Sequence, residues 1–174
     1  VVQKSSILSV VSSLNDANVR YLIVGGLAVV AHGYVRLTMD LDIVLAMDSD
    51  NIRRAVEALG QLGYKPRVPV QAGDLADPQI RRRWISEKGM VVFSLVSQHH
   101  ERTPVDIFVT EPFEFDGEYR QANWFEVAAG VKAPFVRLDR LIDMKRRCAR
   151  PQDILDVQYL QRSRSIPPLG EKDQ

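Results

Sequence analysis

Two aspartates one residue apart, Asp40 and Asp42, stand at the head of an apolar run, Leu41 to Ala46. Residues two apart on a strand point to the same side, so this spacing aims both carboxylates at one point and sends Leu41, Ile43 and Leu45 to the core. Carboxylates held that close repel each other, which raises a pKa or calls for a cation. A hard divalent ion with oxygen ligands answers that need, and Mg²⁺ characteristically combines a few carboxylates with substrate phosphates. Upstream, Gly25-Gly26 ends another apolar run and opens a short helical segment. Bare backbone N–H groups at such a turn can face an anion. A third carboxylate, Asp106, interrupts the apolar string Val105-Asp106-Ile107-Phe108-Val109. It reads either as an edge strand with one face in water or as a third ligand delivered from a neighbouring strand.

The elements that must position these groups follow from periodicity and punctuation. Helices are expected over 5–16, 27–32, 49–62, 78–86, 138–148 and 151–161, and strands over 19–24, 41–46, 90–96 and 104–109. Ser49 or Asp50 reads as the cap of the third helix, and Ile154, Leu155 and Leu160 of the last one are available to the core. Residues 64–77 read as an irregular connection, and the aromatic-rich stretch 111–136 as short strands and turns. The mixture is α/β (α+β), without a regular strand-helix alternation. That favours a small mixed sheet flanked by helices over a doubly wound one.

The chain has 174 residues, 45% hydrophobic and 26% charged. That suits one domain over 1–162, with a polar tail over 163–174. A net charge of +1 argues neither for a protein that coats polyanions nor for an acidic tail. The single cysteine, Cys148, excludes a disulfide framework and points to a reducing, cytoplasmic setting. No stretch is apolar for the roughly 18 residues of a membrane span. The N-terminal apolar residues recur at helical spacing rather than as a signal peptide.

Gly25-Gly26, the Arg36-x-Thr38-x-Asp40-x-Asp42 string and the later Asp106 together resemble the nucleotidyltransferase superfamily, the fold of DNA polymerase β and of aminoglycoside and lincosamide nucleotidyltransferases. The string is also similar to a small bacterial branch that includes AbiEii-type toxins. So are Leu141-Ile142-Asp143-Met144-Lys145 and Arg150-Pro151-Gln152-Asp153-Ile154-Leu155-Asp156. The resemblance implies transfer of a nucleoside monophosphate from an NTP such as ATP to a hydroxyl on a small molecule, RNA or protein. It implies two Mg²⁺ ions (Mn²⁺ as the alternative) on Asp40, Asp42 and Asp106, with Asp106 also accepting a proton. Gly25 and Gly26 would admit the triphosphate, and Gly26→Val would block it sterically. Arg36 reads equally as a phosphate partner or a surface arginine, and Thr38 as a local hydrogen-bonding residue. Lys145 reads as a phosphate partner or, by default, an exposed lysine. Arg150, Asp153 and Asp156 have a structural reading, as residues around a helix start.

Two other readings stay open: a non-catalytic module of the same fold that binds a nucleotide or partner, and a toxin-antitoxin component acting on tRNA. Arg81-Arg82-Arg83-Trp84 offers charge and stacking for nucleic acid, but a helical basic run is more simply a solvated face. Adjacent His99 and His100 diverge and read as loop residues, and His32 as a satisfied, half-buried histidine.

Overall fold

The computed structural model describes residues 5–164. In chain order its elements are α1 (Ser6–Asp16), β1 (Tyr21–Ile23), α2 (Gly25–Ala31), β2 (Leu41–Leu45), α3 (Ser49–Gln61), β3 (Lys65–Pro66), α4 (Pro78–Lys88), β4 (Val92–Val96), β5 (Val105–Phe108), α5 (Phe115–Arg120), β6 (Asn123–Ala128), β7 (Val131–Phe135), α6 (Leu138–Cys148) and α7 (Pro151–Arg164). Short 3-10 turns at Ala72–Ala76 and Gln98–His100 complete them. The connection expected to be irregular thus carries a two-residue strand and a turn. The aromatic-rich stretch holds a short helix as well as a hairpin. The expected tail falls almost wholly outside the described residues. Among the described residues no helix is long and apolar enough to cross a membrane.

The strands form one mixed sheet in the order β3-β4-β5-β2-β1-β7-β6. β1 runs antiparallel to β2, and β2 runs parallel to β5. On β4 and β5 the side chains alternate cleanly. Phe93, Leu95, Val105 and Ile107 are fully buried on one face, whereas Ser94, Asp106 and Phe108 are half-buried on the other. That alternation decides where chemistry can occur: one face is core and the other is open. β2 is buried on both faces except at Asp42, which is half-buried, while Leu41, Ile43, Val44 and Leu45 are core.

The helix caps explain several boundaries. Asp48, rather than Ser49 or Asp50, caps α3, its carboxylate accepting from the Asn51 N–H at 2.8 Å. Pro78 opens α4 behind an Asp77 cap, and Gly89 closes it in the left-handed conformation. The last helix corrects the expectation for its apolar residues. α7 buries Asp153, Asp156 and Leu160 and leaves Ile154, Leu155 and Tyr159 exposed. Its inward face is charged because charged partners wait there, as described below.

One buried side chain ties the β1–β2 pair to α3. Asn51 is fully buried; its Oδ1 accepts from the Arg20 N–H at 2.8 Å. Its Nδ2 donates to the Arg20 carbonyl at 2.9 Å and to the Ala46 carbonyl at 3.0 Å. These groups flank the start of β1 and the end of β2, so Asn51 holds the two strands that carry the glycine turn and the carboxylates. Replacing it strands several buried backbone groups at once. Asn51→Leu is expected to lower stability by about 2–4 kcal/mol in urea unfolding, with the slope unchanged. A loss below about 0.5 kcal/mol, the size of an ordinary surface change, would contradict this role.

Candidate functional site

Sheet register brings Asp42 and Asp106 together. In the parallel β2–β5 pair Leu41 faces Val105, Asp42 faces Asp106 and Ile43 faces Ile107. The two carboxylates are therefore direct neighbours on the open face. β5 is not an edge strand, since β4 and β2 flank it. The water-exposed edge that would have explained Asp106 most simply is absent. Asp106 Oδ1 is buried and has no hydrogen-bond partner. A buried, unpartnered carboxylate oxygen is costly, so a group that would satisfy it is called for.

Asp40 is placed differently from the expectation. β2 opens at Leu41, so Asp40 precedes the strand rather than sharing its face, and it is exposed. It still lines the same pocket as Asp42 and Asp106. Among the described residues, no three His, Cys, Asp or Glu side chains already converge as a metal cluster.

The glycine turn follows from the same register. β1 runs antiparallel to β2 with Ile23 opposite Ile43, and the Val24 N–H donates to the Asp42 carbonyl at 2.9 Å. The chain must then leave β1 beside the Asp42 side chain. Gly25 has φ +64°, and a Cβ there would overlap the Asp42 carboxylate. Only glycine meets both demands. A Cβ on Gly26 would overlap Thr38 Oγ1 and come within 2.9 Å of Arg36 Nη2. A side chain at residue 26 therefore displaces Thr38 and Arg36 before it meets any ligand, so Gly26→Val would not act on a ligand alone. The Gly26 N–H favours the ionised form of Asp42, so the nearest anion at this turn is the protein's own carboxylate.

A second cluster of charged residues lines the same pocket. Lys145 is only 6% exposed, not the solvated lysine of the default reading. Its Nζ lies 2.8 Å from Asp153 Oδ1 and 2.9 Å from Asp156 Oδ2. Arg36 is likewise no surface arginine. Its Nη2 donates to Asp156 Oδ2 at 3.1 Å, and its Nε lies 3.0 Å from Asp156 Oδ1, too poorly aligned for a second bond. Arg150 donates through Nε to Asp153 Oδ2 at 2.7 Å. Burial works against the Asp153 charge, but the hydrogen bonds and charges of Arg150 and Lys145 outweigh it and hold the carboxyl below its ordinary range. Asp153 and Asp156, read from sequence as residues of a helix start, are thus the anchors of Lys145 and Arg36. The only sequence signal was their i, i+3 spacing behind Arg150.

Gly25, Gly26, Arg36, Thr38, Asp40, Asp42, Asp106 and Lys145 all line one cavity of about 520 Å³. That volume lies within the range of small-molecule sites. A depression of about 640 Å³ between α1 and α3 gathers no such cluster of carboxylates. The cavity's apolar wall comes from Phe108, Leu141 and Met144. Two other sequence motifs stay outside it. Trp84 is buried and stacks on Phe93 at 5.3 Å, and Arg81 is buried with its Nη1 on the Leu75 carbonyl at 2.5 Å. Arg82 and Arg83 alone are solvated, so Trp84 offers no face to a base. His32 places Nε2 2.8 Å from the Val136 carbonyl, and burial lowers its pKa; it is a satisfied histidine.

Burial pushes the Asp42 carboxyl up to about 6, and the charges of Asp106 and Asp40 add to the push. The native state therefore holds a proton that the unfolded chain has released between about pH 4 and pH 6. Stability falls as pH rises through that window. Without divalent cations, Asp42→Asn is expected to exceed wild type by about 1–3 kcal/mol at pH 7.5, with the difference closing near pH 4. Urea unfolding in EDTA across pH 4–8 measures it. A wild type at least as stable as the variant at pH 7.5 would contradict the crowding of these carboxylates.

No family model matches the chain, and no curated protein does. Solved structures do. The crystal structure of the lincosamide antibiotic adenylyltransferase LnuA with lincomycin bound superposes with a TM-score of 0.60 at 16% identity, covering 91% of this chain and 98% of that one. The crystal structure of ANT(2")-Ia with adenylyl-2"-tobramycin gives a TM-score of 0.56 at 14% identity, covering 90% of this chain and 86% of that one. The solution structure of the same antibiotic-resistance factor gives 0.57 at 15% identity, covering 90% and 81%. Their descriptions name antibiotics and do not bear on the AbiEii-type resemblance. At such identities the likeness is one of fold, and this chain shares the fold of these solved structures.

Proposed function

We propose that this chain is a nucleotidyltransferase that moves a nucleoside monophosphate from an NTP to a hydroxyl acceptor. The observation that carries the reading is the Asp42–Asp106 register pair, beside a glycine turn and facing Arg36 and Lys145 in one pocket. The residues present fit a divalent cation. Asp106 Oδ1 lacks a partner, and carboxylates outnumber basic side chains around the cavity. Asp40, Asp42 and Asp106 would hold Mg²⁺, or Mn²⁺ in its place. When bound, the cation neutralises phosphate charge and lowers the pKa of the acceptor hydroxyl.

The chain's own residues supply the rest. Gly25 and Gly26 leave room beside the carboxylates for the phosphates. Arg36 and Lys145 bring positive charge to the far side of the triphosphate. Asp106 takes the proton of the acceptor hydroxyl as its oxygen bonds to the α-phosphorus and pyrophosphate leaves. Phe108, Leu141 and Met144 wall the cavity with apolar surface that excludes water. ATP is the first donor to test and a small-molecule hydroxyl the first acceptor class, because the similar solved structures are an adenylyltransferase with lincomycin bound and an enzyme in complex with adenylyl-2"-tobramycin. The buried Trp84 removes the stacking platform on which an RNA-acceptor reading leaned. The exposed, free Cys148 suits a reducing, cytoplasmic compartment.

The test is transfer of label from each α-labelled NTP to aminoglycosides, lincosamides and tRNA in Mg²⁺. Transfer to a small-molecule hydroxyl is expected, abolished by EDTA and lowered about 100-fold or more by Asp42→Ala. Equal counts from wild type and the Asp40→Ala, Asp42→Ala double variant would refute the enzymatic reading. Metal-dependent ATP binding without turnover would point to the non-catalytic module instead.

A further inference from the structure

We infer that Asp156 is a positioning residue of the nucleotide pocket: from α7 it sets the pose of Arg36, so the last described helix is part of the donor site. This rests on the nucleotidyl-transfer reading above. Arg36 and Asp156 lie 120 residues apart in the chain and meet at 3.1 Å. The Asp156 side chain is wholly buried, and Gln152 Nε2 donates to its Oδ1 at 2.9 Å. That carboxylate therefore has little freedom to turn away.

Its partner is the residue with somewhere else to go. Arg36 sits on the segment between α2 and β2, where Val35 and Leu37 on either side are almost fully exposed. Of its remaining donors, Nη1 reaches only the neighbouring Leu37 carbonyl, at 3.2 Å. Nη2 stands beside Gly26 and Thr38, at the mouth of the pocket. Without Asp156, the carboxylates that share the pocket with Arg36, namely Asp42 and Asp106, become its competing partners. A guanidinium that swung onto them would neutralise the charge meant for the cation. Asp156 prevents this by holding the guanidinium on its own carboxylate. The same helix makes a second tie to this segment, since Tyr159 stacks on Tyr34 with ring centroids 4.1 Å apart and planes 7° from parallel. Residues 156 and 159 are one turn apart, so one helix face grips the segment at two points. Lys145 does not depend on Asp156 in the same way, because Asp153 holds it as well.

A double-mutant cycle on Mg·ATP affinity, read by calorimetry at 10 °C on variants with native circular dichroism, tests this. Asp156→Asn is expected to weaken ATP binding about 10-fold or more in the Arg36 background. In the Arg36→Gln background the same change is expected to cost less than about 2-fold. Leu160→Ala, which loosens the buried face of α7 without touching the guanidinium, is expected to leave affinity within about 2-fold. Should Asp156→Asn fail to fold, Gln152→Ala, which removes the hydrogen bond to Asp156 Oδ1, takes its place in the cycle with the same pattern at smaller size expected. Unchanged affinity in the variant would overturn the inference. So would losses that multiply across the two positions, which would make Asp156 act independently of Arg36. A wild type that binds no NTP would overturn the donor reading itself and leave the pair a purely structural one. That outcome is distinguishable because it appears before any substitution is made.

Discussion

Asp42 and Asp106 are held side by side by backbone register, on strands that are otherwise core, and most of the surrounding architecture follows from that constraint. Their positions cannot relax independently, because Leu41–Ile43 and Val105–Ile107 pair residue for residue with buried neighbours. The carboxylate at residue 42 then dictates glycine at residue 25, where any Cβ would collide with it. It also dictates the electrostatics, since burial and the facing Asp106 make ionisation of Asp42 unfavourable. A fold seldom retains such a pair unless something positive compensates it.

Compensation comes in part from the far wall of the pocket, and its construction reverses the usual polarity of a helix. α7 turns Asp153 and Asp156 inward and Ile154 and Leu155 outward. Buried carboxylates are tolerated there because Lys145, Arg150, Arg36 and Gln152 satisfy them. The result is a segregated cavity. Carboxylates that lack cations lie on the sheet side. Cations already paired with carboxylates lie on the helix side. An anion with many oxygens, accompanied by a divalent cation, fits between two such walls better than either component alone.

How much of this was legible in the sequence depended on where each signal lay. Gly25-Gly26 and Asp42 were readable because a turn and a strand start are local events. Asp106 was readable because a lone charge among β-branched and aromatic residues is anomalous in itself. The neighbourhood of Asp42 and Asp106 was not readable from spacing, since register between distant strands is a tertiary fact, and only the family resemblance suggested it. α7 misled for a specific reason. Periodicity assigns the apolar face to the core, and here the core side offers charged partners instead, so Ile154 and Leu155 were assigned inward. Lys145 failed for the same reason: a buried lysine is uncommon unless paired, and its partners lie in the next helix. In the 111–136 stretch, Phe115 and Tyr119 belong to a helix while Trp124 and Phe125 belong to a hairpin. Aromatic content does not separate the two.

The most direct measurement is a crystal structure of the protein with Mn²⁺ and a non-hydrolysable ATP analogue, with anomalous scattering used to locate manganese. Manganese is expected between Asp42 and Asp106, drawing Asp40 in, with the triphosphate alongside Gly25-Gly26 and facing Arg36. A nucleotide seated elsewhere, or manganese that ignores Asp42 and Asp106 while the nucleotide is bound, would contradict it.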